Sequence, residues 1–316
     1  MAFEKVNASH PDKCADRIAG ALVDYCYSKE HDPRCAFEVL IGHGLTTIIG
    51  ETSVMVPYEE VVAIVERIIG KQDKIVLHQV PQDPILAHNQ DGVLRAADNG
   101  IFRGCAPTHE QKLLTAIATS IYDRYPTDGK YVISDAYYKP DFDATMRIPA
   151  RTGHFQTSPK HLTVCQSNAT KADIYKLLAD FEKKYTTDTE ERLTVRINPL
   201  GEWTGGPNTD SGATNRKLGS DLGDGVTGGG LCGKDLSKGD VSINIVCFLK
   251  AVQSGQTVTA CCSIGDEQVT FTYADGKRET ETFADVVEMA RLYILTDCNG
   301  SFEKFAEWGL IRAKDL

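Results

Sequence analysis

The sequence predicts an α+β protein assembled from related units rather than one doubly wound sheet. Two observations carry this. An apolar strand, a polar turn and an amphipathic helix of about three turns recur along the chain. They are read at 36–41 and 45–51 with a helix at 58–69, at 162–166 with a helix near 170–184, and at 269–273 with a helix near 282–294. The length, 316 residues, also exceeds one typical core and suggests two or three domains. Residue identity among the three units is negligible, so the repeat is one of pattern.

The first helix is read over residues 11–26, where Cys14, Ile18, Leu22 and Tyr25 recur at helical spacing. Ser9 followed by Asp12 resembles a capping box, and Pro11 suits a first turn. His10 and Asp12 then sit at a helix N-terminus, a position favourable to anions. Residues 83–98 lack sustained periodicity and are read as a long loop, which in a compact domain is often functional.

Composition narrows the class. With 41% hydrophobic and 25% charged residues the chain is globular, not disordered. A net charge of −10 argues against broad attraction to nucleic acid or an anionic membrane. There is no long apolar run to span a bilayer, and the N-terminal MAFEKVNASHPDK lacks the apolar core of a secretory signal. The ten cysteines form no CxxC pair, so buried reduced thiols in a cytosolic protein are expected rather than a zinc site or a disulfide frame.

The most informative stretch runs from Asn198 to Asp240, where glycines surround Arg216, Lys217, Lys234 and Lys238, with carboxylates at Asp210 and Asp240. Glycine lets backbone N–H groups approach an anion, and arginine and lysine supply charge and donors to phosphate oxygens. Asp240, just past Lys238, suits a magnesium ion bridging such phosphates. The segment is expected to bind a polyphosphate. It does not fit the P-loop pattern, because Asp235 follows Lys234 where that motif needs serine or threonine.

Other groups fall into a familiar order. His10-Pro11-Asp12-Lys13 opens the first helix, and Glu38 and Glu51 lie on neighbouring strands, the latter within Gly50-Glu51-Thr52-Ser53. Asp98-Asn99-Gly100 and Cys262-Ser263-Ile264-Gly265 follow. The chain thereby resembles the S-adenosylmethionine synthetases (methionine adenosyltransferases). HPDKCADRIAGALVD is similar to the family's HPDK helix and Asp98-Asn99-Gly100 to its DQG. The segment from Asn198 is similar to NPTGxFxxGGPxxDxGxTGRK followed by GGGxxSGKDPxKVD.

The resemblance implies three α+β domains related by pseudo-threefold symmetry, with sheets packed at a dimer interface that shares the active sites. The expected divisions are 1–104, 105–197 and 198–316, with segments exchanged between them. It implies attack of methionine sulfur on ATP C5′, loss of triphosphate, and its cleavage to phosphate and pyrophosphate. His10 would stabilise the departing oxygen, and Arg216, Lys217, Lys234 and Lys238 would hold the triphosphate. Asp12 and Asp240 would ligate magnesium, two ions per site, and Glu38 would sit at a potassium site. Glu51 and Gln82 would fix the amino and carboxylate groups of methionine. Asp98 and Asp210 would line the cleft, Asp141 would reach the ribose, and Trp203 and Ile264 would flank the adenine.

The departures from the family are local. Asp143 stands where a PDAK-type segment has a phosphate-contacting lysine, Glu202 replaces an arginine, and the loop between Gln82 and Asp98 is short. A triphosphatase or phosphotransferase, and a non-catalytic regulatory subunit, are the alternatives.

Overall fold

The structure, a computed structural model, describes residues 2–90, 92–135, 160–185, 193–202 and 204–313. In the N-terminal third come β1 (Ala2–Val6), α1 (Pro11–Lys29), β2 (Cys35–Gly42), β3 (Leu45–Thr52), α2 (Tyr58–Ile69), β4 (Lys74–Val80), α3 (Pro84–Asn89) and β5 (Gly100–Gly104). Then follow α4 (His109–Arg124), β6 (Gly129–Asp135), β7 (Lys160–Gln166), α5 (Lys171–Tyr185) and β8 (Leu193–Ile197). The remainder holds β9 (Ser211–Ala213), α6 (Leu218–Leu222), β10 (Val226–Thr227), a 3-10 turn at Leu236–Lys238, α7 (Asp240–Ser254), β11 (Val258–Cys262), β12 (Gln268–Tyr273), β13 (Arg278–Thr282), α8 (Phe283–Asp297) and α9 (Phe302–Trp308).

Among the described residues these strands make three sheets, ordered β1-β6-β7-β8, β4-β3-β2-β9 and β10-β5-β11-β12-β13. The first two share one plan. An antiparallel run of three strands ends in a parallel pair, β7 with β8 and β3 with β4, each pair joined through a helix. The third is antiparallel throughout. Two of the three repeated units are thus alike in topology, while the third ends in the β12–β13 hairpin before its helix. Each sheet also borrows a strand from a distant part of the chain: β1 joins β6, β9 joins β2, and β5 joins β11.

Local sequence accounts for most of the elements. Strand β2 alternates buried Cys35, Phe37, Val39 and Ile41 with outward Glu38 and Leu40, the period-two pattern of a sheet with one covered face. Helix α2 begins and ends where its apolar period does. Two expectations need correction. The cap of α1 is His10, whose Nδ1 accepts from the Asp12 amide at 3.2 Å, not Ser9. Ser9 instead donates its own amide to Asn7 Oδ1, which turns the chain one residue later. Within 83–98, Pro84–Asn89 is a short helix, capped by Asp83 accepting from the amides of Ile85 and Leu86. A single strong cap compensates there for the missing periodicity.

One hydrophobic core lies between α1, α7, α8 and the second and third sheets, and a second packs α4 and α5 on the first sheet. The ten cysteines are free thiols, but Cys261 is exposed and Cys105 and Cys165 half-buried, contrary to a uniformly buried set. No helix among the described residues is long and apolar enough to cross a membrane.

Buried charge fixes α1 in place. Lys13 is fully buried and bonds Asp16 at 3.0 Å and Asp221 at 2.7 Å. Burial opposes its charge, but the two carboxylates outweigh that and raise its pKa. Lys13→Met should lower unfolding free energy by about 3–5 kcal/mol, because it strands two buried carboxylates. Urea denaturation measures this, and a loss under about 1 kcal/mol would show that the triad is not a stability determinant.

Candidate active site

Three segments converge at the N-terminus of α1. Strand β9 crosses it so closely that a Cβ on Gly212 would meet the Pro11 carbonyl oxygen at 2.1 Å. Only glycine fits there. The crossing lets Ala213 N donate to Asp12 Oδ1 at 3.0 Å, and it brings Arg216 Nε within 3.1 Å and Lys217 Nζ within 4.0 Å of the Asp12 carboxylate. Asp12 is almost wholly buried, and burial raises its pKa in spite of these cations. Its Oδ2 has no hydrogen-bond partner. With Nδ1 of His10 accepting the Asp12 amide, a proton on the ring is carried by Nε2.

A second group forms around Lys234. Its backbone bridges to Ala36 on β2, which pairs in turn with Glu51 on β3, so Lys234 and Glu51 lie in one row across the sheet. Lys234 Nζ forms an ion pair with Asp240 at the start of α7 and lies 3.7 Å from Asp98. Burial works against its charge, but Asp240 and Asp98 outweigh it and lift the pKa. Asp240 is buried with Oδ1 unpartnered, and burial raises its pKa. Gly229 is the residue that permits this packing, since a Cβ there would lie 2.2 Å from both Asp240 oxygens. Glu38 takes the Thr214 hydroxyl, next to the Ala213 that holds Asp12, so the two groups are contiguous.

The remaining candidates are arranged around these. Lys238 is buried beside Asp235 and Asp240. Ile264 is half-exposed, and its amide donates to Asn99 Oδ1 at 2.9 Å, so the 262–265 turn rests on the Asp98 loop. Asp210 is exposed and accepts from the Ser211 amide. Gln82 is buried, with Oε1 unpartnered. Asp141 and Trp203 lie outside the described residues, as does Asp143. A cavity of about 650 Å³ is lined by Glu202 and Thr204, the neighbours of position 203, together with Ser167 to Lys171.

The sequence reading missed Asp128. It is buried, accepts the Gly206 amide at 3.0 Å, and faces the fields of Asp210 and Lys217. Its signal was present as Asp128-Gly129-Lys130 ahead of an apolar strand.

The buried oxygens of Asp12 and Asp240 that lack partners fit hard divalent cations, which take carboxylate oxygen. Among the described residues Asp16, Asp221 and Cys232 have metal-ligand spacing, their ligand atoms lying within 4.8 Å of one another. The Lys13 ammonium already serves those carboxylates, so that group is a salt bridge and not the metal site.

Residues 1–85 match the N-terminal domain of S-adenosylmethionine synthetase. The S-adenosylmethionine synthase of Helicobacter pylori is 32% identical over 274 residues, covering 76% of this chain and 69% of that protein. The chain belongs to the S-adenosylmethionine synthase family. A Sulfurovum synthase is 29% identical over 273 residues, with the same coverage. The fold of an unusual S-adenosylmethionine synthetase from Campylobacter jejuni superposes with a TM-score of 0.63 at 18% identity, covering 96% of this chain and 87% of that one.

Burial raises the Asp128 pKa to about 6. An aspartate whose native pKa exceeds its unfolded value lets the folded state gain stability as pH falls through that native pKa. Asp128→Asn keeps the acceptor for Gly206 and should be more stable than wild type at pH 7.5, with the difference shrinking toward pH 5. Paired thermal melts measure it; a difference constant over that range would mean Asp128 ionises normally.

Proposed function

We propose that the chain makes S-adenosylmethionine from ATP and L-methionine. The methionine sulfur bonds to C5′ of ATP, the C5′–O bond breaks, and triphosphate leaves with the electron pair. Water then splits the triphosphate into phosphate and pyrophosphate. The observation that carries this reading is the pair of buried carboxylates, Asp12 and Asp240, each with one unpartnered oxygen and each set among basic side chains. Such a site is built for a polyphosphate with divalent cations.

The chemistry matches these groups. A thioether needs no deprotonation, so the site requires no general base for attack. It has to align sulfur, carbon and leaving oxygen and to stabilise the charge that develops on the triphosphate. His10 donates from Nε2 to the departing oxygen, and Arg216, Lys217, Lys234 and Lys238 hold the triphosphate. Magnesium, when bound by Asp12 and Asp240, supplies further charge neutralisation; Glu38 is proposed to hold potassium. Glu51, Gln82 and Asp98 contact methionine, and Asp210, Ile264 and Trp203 contact the nucleoside, with Asp128 in place of Asp141 at the ribose. We assign the PDAK-type segment to Asp128-Gly129-Lys130 rather than to residues 140–143, because Asp128 holds the Gly206 amide. The acidic Asp143 is then no anomaly.

The proposal includes a homodimer or larger homo-oligomer with the site at the subunit interface, and the three-domain division given above. Its support is the outward face of the second and third sheets, where Leu40 (52%), Ile49 (56%) and Ile101 (71%) are exposed. Light scattering on the purified protein should give at least a dimer; a stable, active monomer would remove the shared site.

Incubation with ATP, methionine, magnesium and potassium should yield S-adenosylmethionine by mass spectrometry. Lys234→Ala should slow it about 10²–10³-fold, the scale for losing one positioned charge at a developing anion. ATP loss without the sulfonium product would instead make the chain a triphosphatase.

A further inference from the structure

The two basic groups of the site lie on different loops, and one side chain ties those loops together. Arg216 and Lys217 follow β9, whereas Lys234 lies past the glycine run 228–230. Asn215 stands immediately before the first pair. Its Oδ1 accepts the amides of Leu231 at 2.8 Å and Cys232 at 2.9 Å, and its Nδ2 donates to the Cys232 carbonyl at 3.2 Å. Its own amide donates to Asp16 Oδ1 at 2.7 Å, in the buried group that Lys13 holds. Leu231 and Cys232 are buried, and Lys234 comes two residues later. The two loops approach so closely that a Cβ on Gly230 would meet Asn215 Cγ at 2.5 Å.

The backbone of Asn215 points the same way. Its φ is 62°, in the left-handed region that glycine enters freely and asparagine enters with the help of local hydrogen bonds. The motif that this segment resembles has glycine at the same place, between the threonine and the arginine-lysine pair. Glycine would meet the backbone requirement with less strain, yet it could not reach the second loop. Asn215 does reach it, and two consecutive amides fill both lone pairs of one oxygen. That clip removes freedom which the neighbouring glycines would otherwise leave to the loop.

We infer that Asn215 is a positioning residue that sets the spacing between Lys234 and the pair Arg216 and Lys217, and with it the length of polyphosphate that the site prefers. This rests on the polyphosphate site proposed above and deepens it. Three linked phosphates span both basic groups at once, whereas two engage a single group and are indifferent to the spacing.

The test compares diimidotriphosphate with imidodiphosphate, whose P–N–P bridges resist hydrolysis, by calorimetric titration of the full-length protein in magnesium. Wild type should bind the three-phosphate ligand more tightly. Asn215→Gly accepts the same φ without strain and removes only the clip. Its affinity for diimidotriphosphate should fall about tenfold, the scale for losing one hydrogen bond to a charged group, with imidodiphosphate kept within about twofold. Asn215→Asp retains both acceptors and tolerates the same backbone, so it should keep the wild-type ratio even as its added charge weakens both ligands. Equal losses on both ligands in Asn215→Gly would overturn the assignment and leave Asn215 as a brace of the fold. An unchanged ratio in Asn215→Gly, or a wild type without preference, would overturn it as well. Should Asn215→Gly fail to fold by circular dichroism, Asn215→Ser, whose hydroxyl is too short to reach both amides, decides in its place. A wild type that binds neither ligand would fail the polyphosphate site itself, a result distinct from a length preference that ignores Asn215.

Discussion

Two buried ammonium groups hold the molecule together where the chain returns from its C-terminal half to its N-terminus. Lys5 on β1 donates to the carbonyls of Ser220, Trp308 and Ile311 at 2.8, 2.8 and 2.9 Å. Lys13 on α1 grips the carboxylate of Asp221, the next residue after Ser220. Together they seize the short helix α6 from two sides, and the Asp221 carbonyl in turn accepts the amides of Leu310 and Ile311. A buried charge is tolerated only when its donors are filled, and once filled it permits little displacement. Arg216 and Lys217 come immediately before α6, so their distance from Asp12 is set by this clamp and not by the flexible glycine-rich backbone around them.

The same logic explains how so many charges coexist. The chain is acidic overall, and its active-site cations are compensated in place: Lys234 by Asp240 and Asp98, Arg216 and Lys217 by Asp12, and Lys217 also by Glu4. On the proposed reading, the donors are held at the site before any anion arrives. It also means that an incoming polyphosphate competes with protein carboxylates for the lysines. On that reading, the unpartnered oxygens of Asp12 and Asp240 would let those carboxylates turn to a cation as the lysines turn to phosphate.

How much of this could be read from sequence depended on the range of the interactions. Helix α2 and strands β2 and β3 were legible because their burial patterns are local and periodic. The clustering of His10 and Asp12 with Arg216, Lys217, Lys234 and Asp240 followed from motif order, and the geometry brings all of them into contiguous groups. What escaped reading was set at long range or by single atoms. The three-residue strand β9 has no propensity signal and exists because Gly212 can approach Pro11. The His10 cap won over Ser9 through a bond from Ser9 to Asn7 that no capping pattern encodes. Asp128 was overlooked because a four-residue motif at 140–143 drew the reading, and its contact to Gly206 is made across 78 residues of sequence.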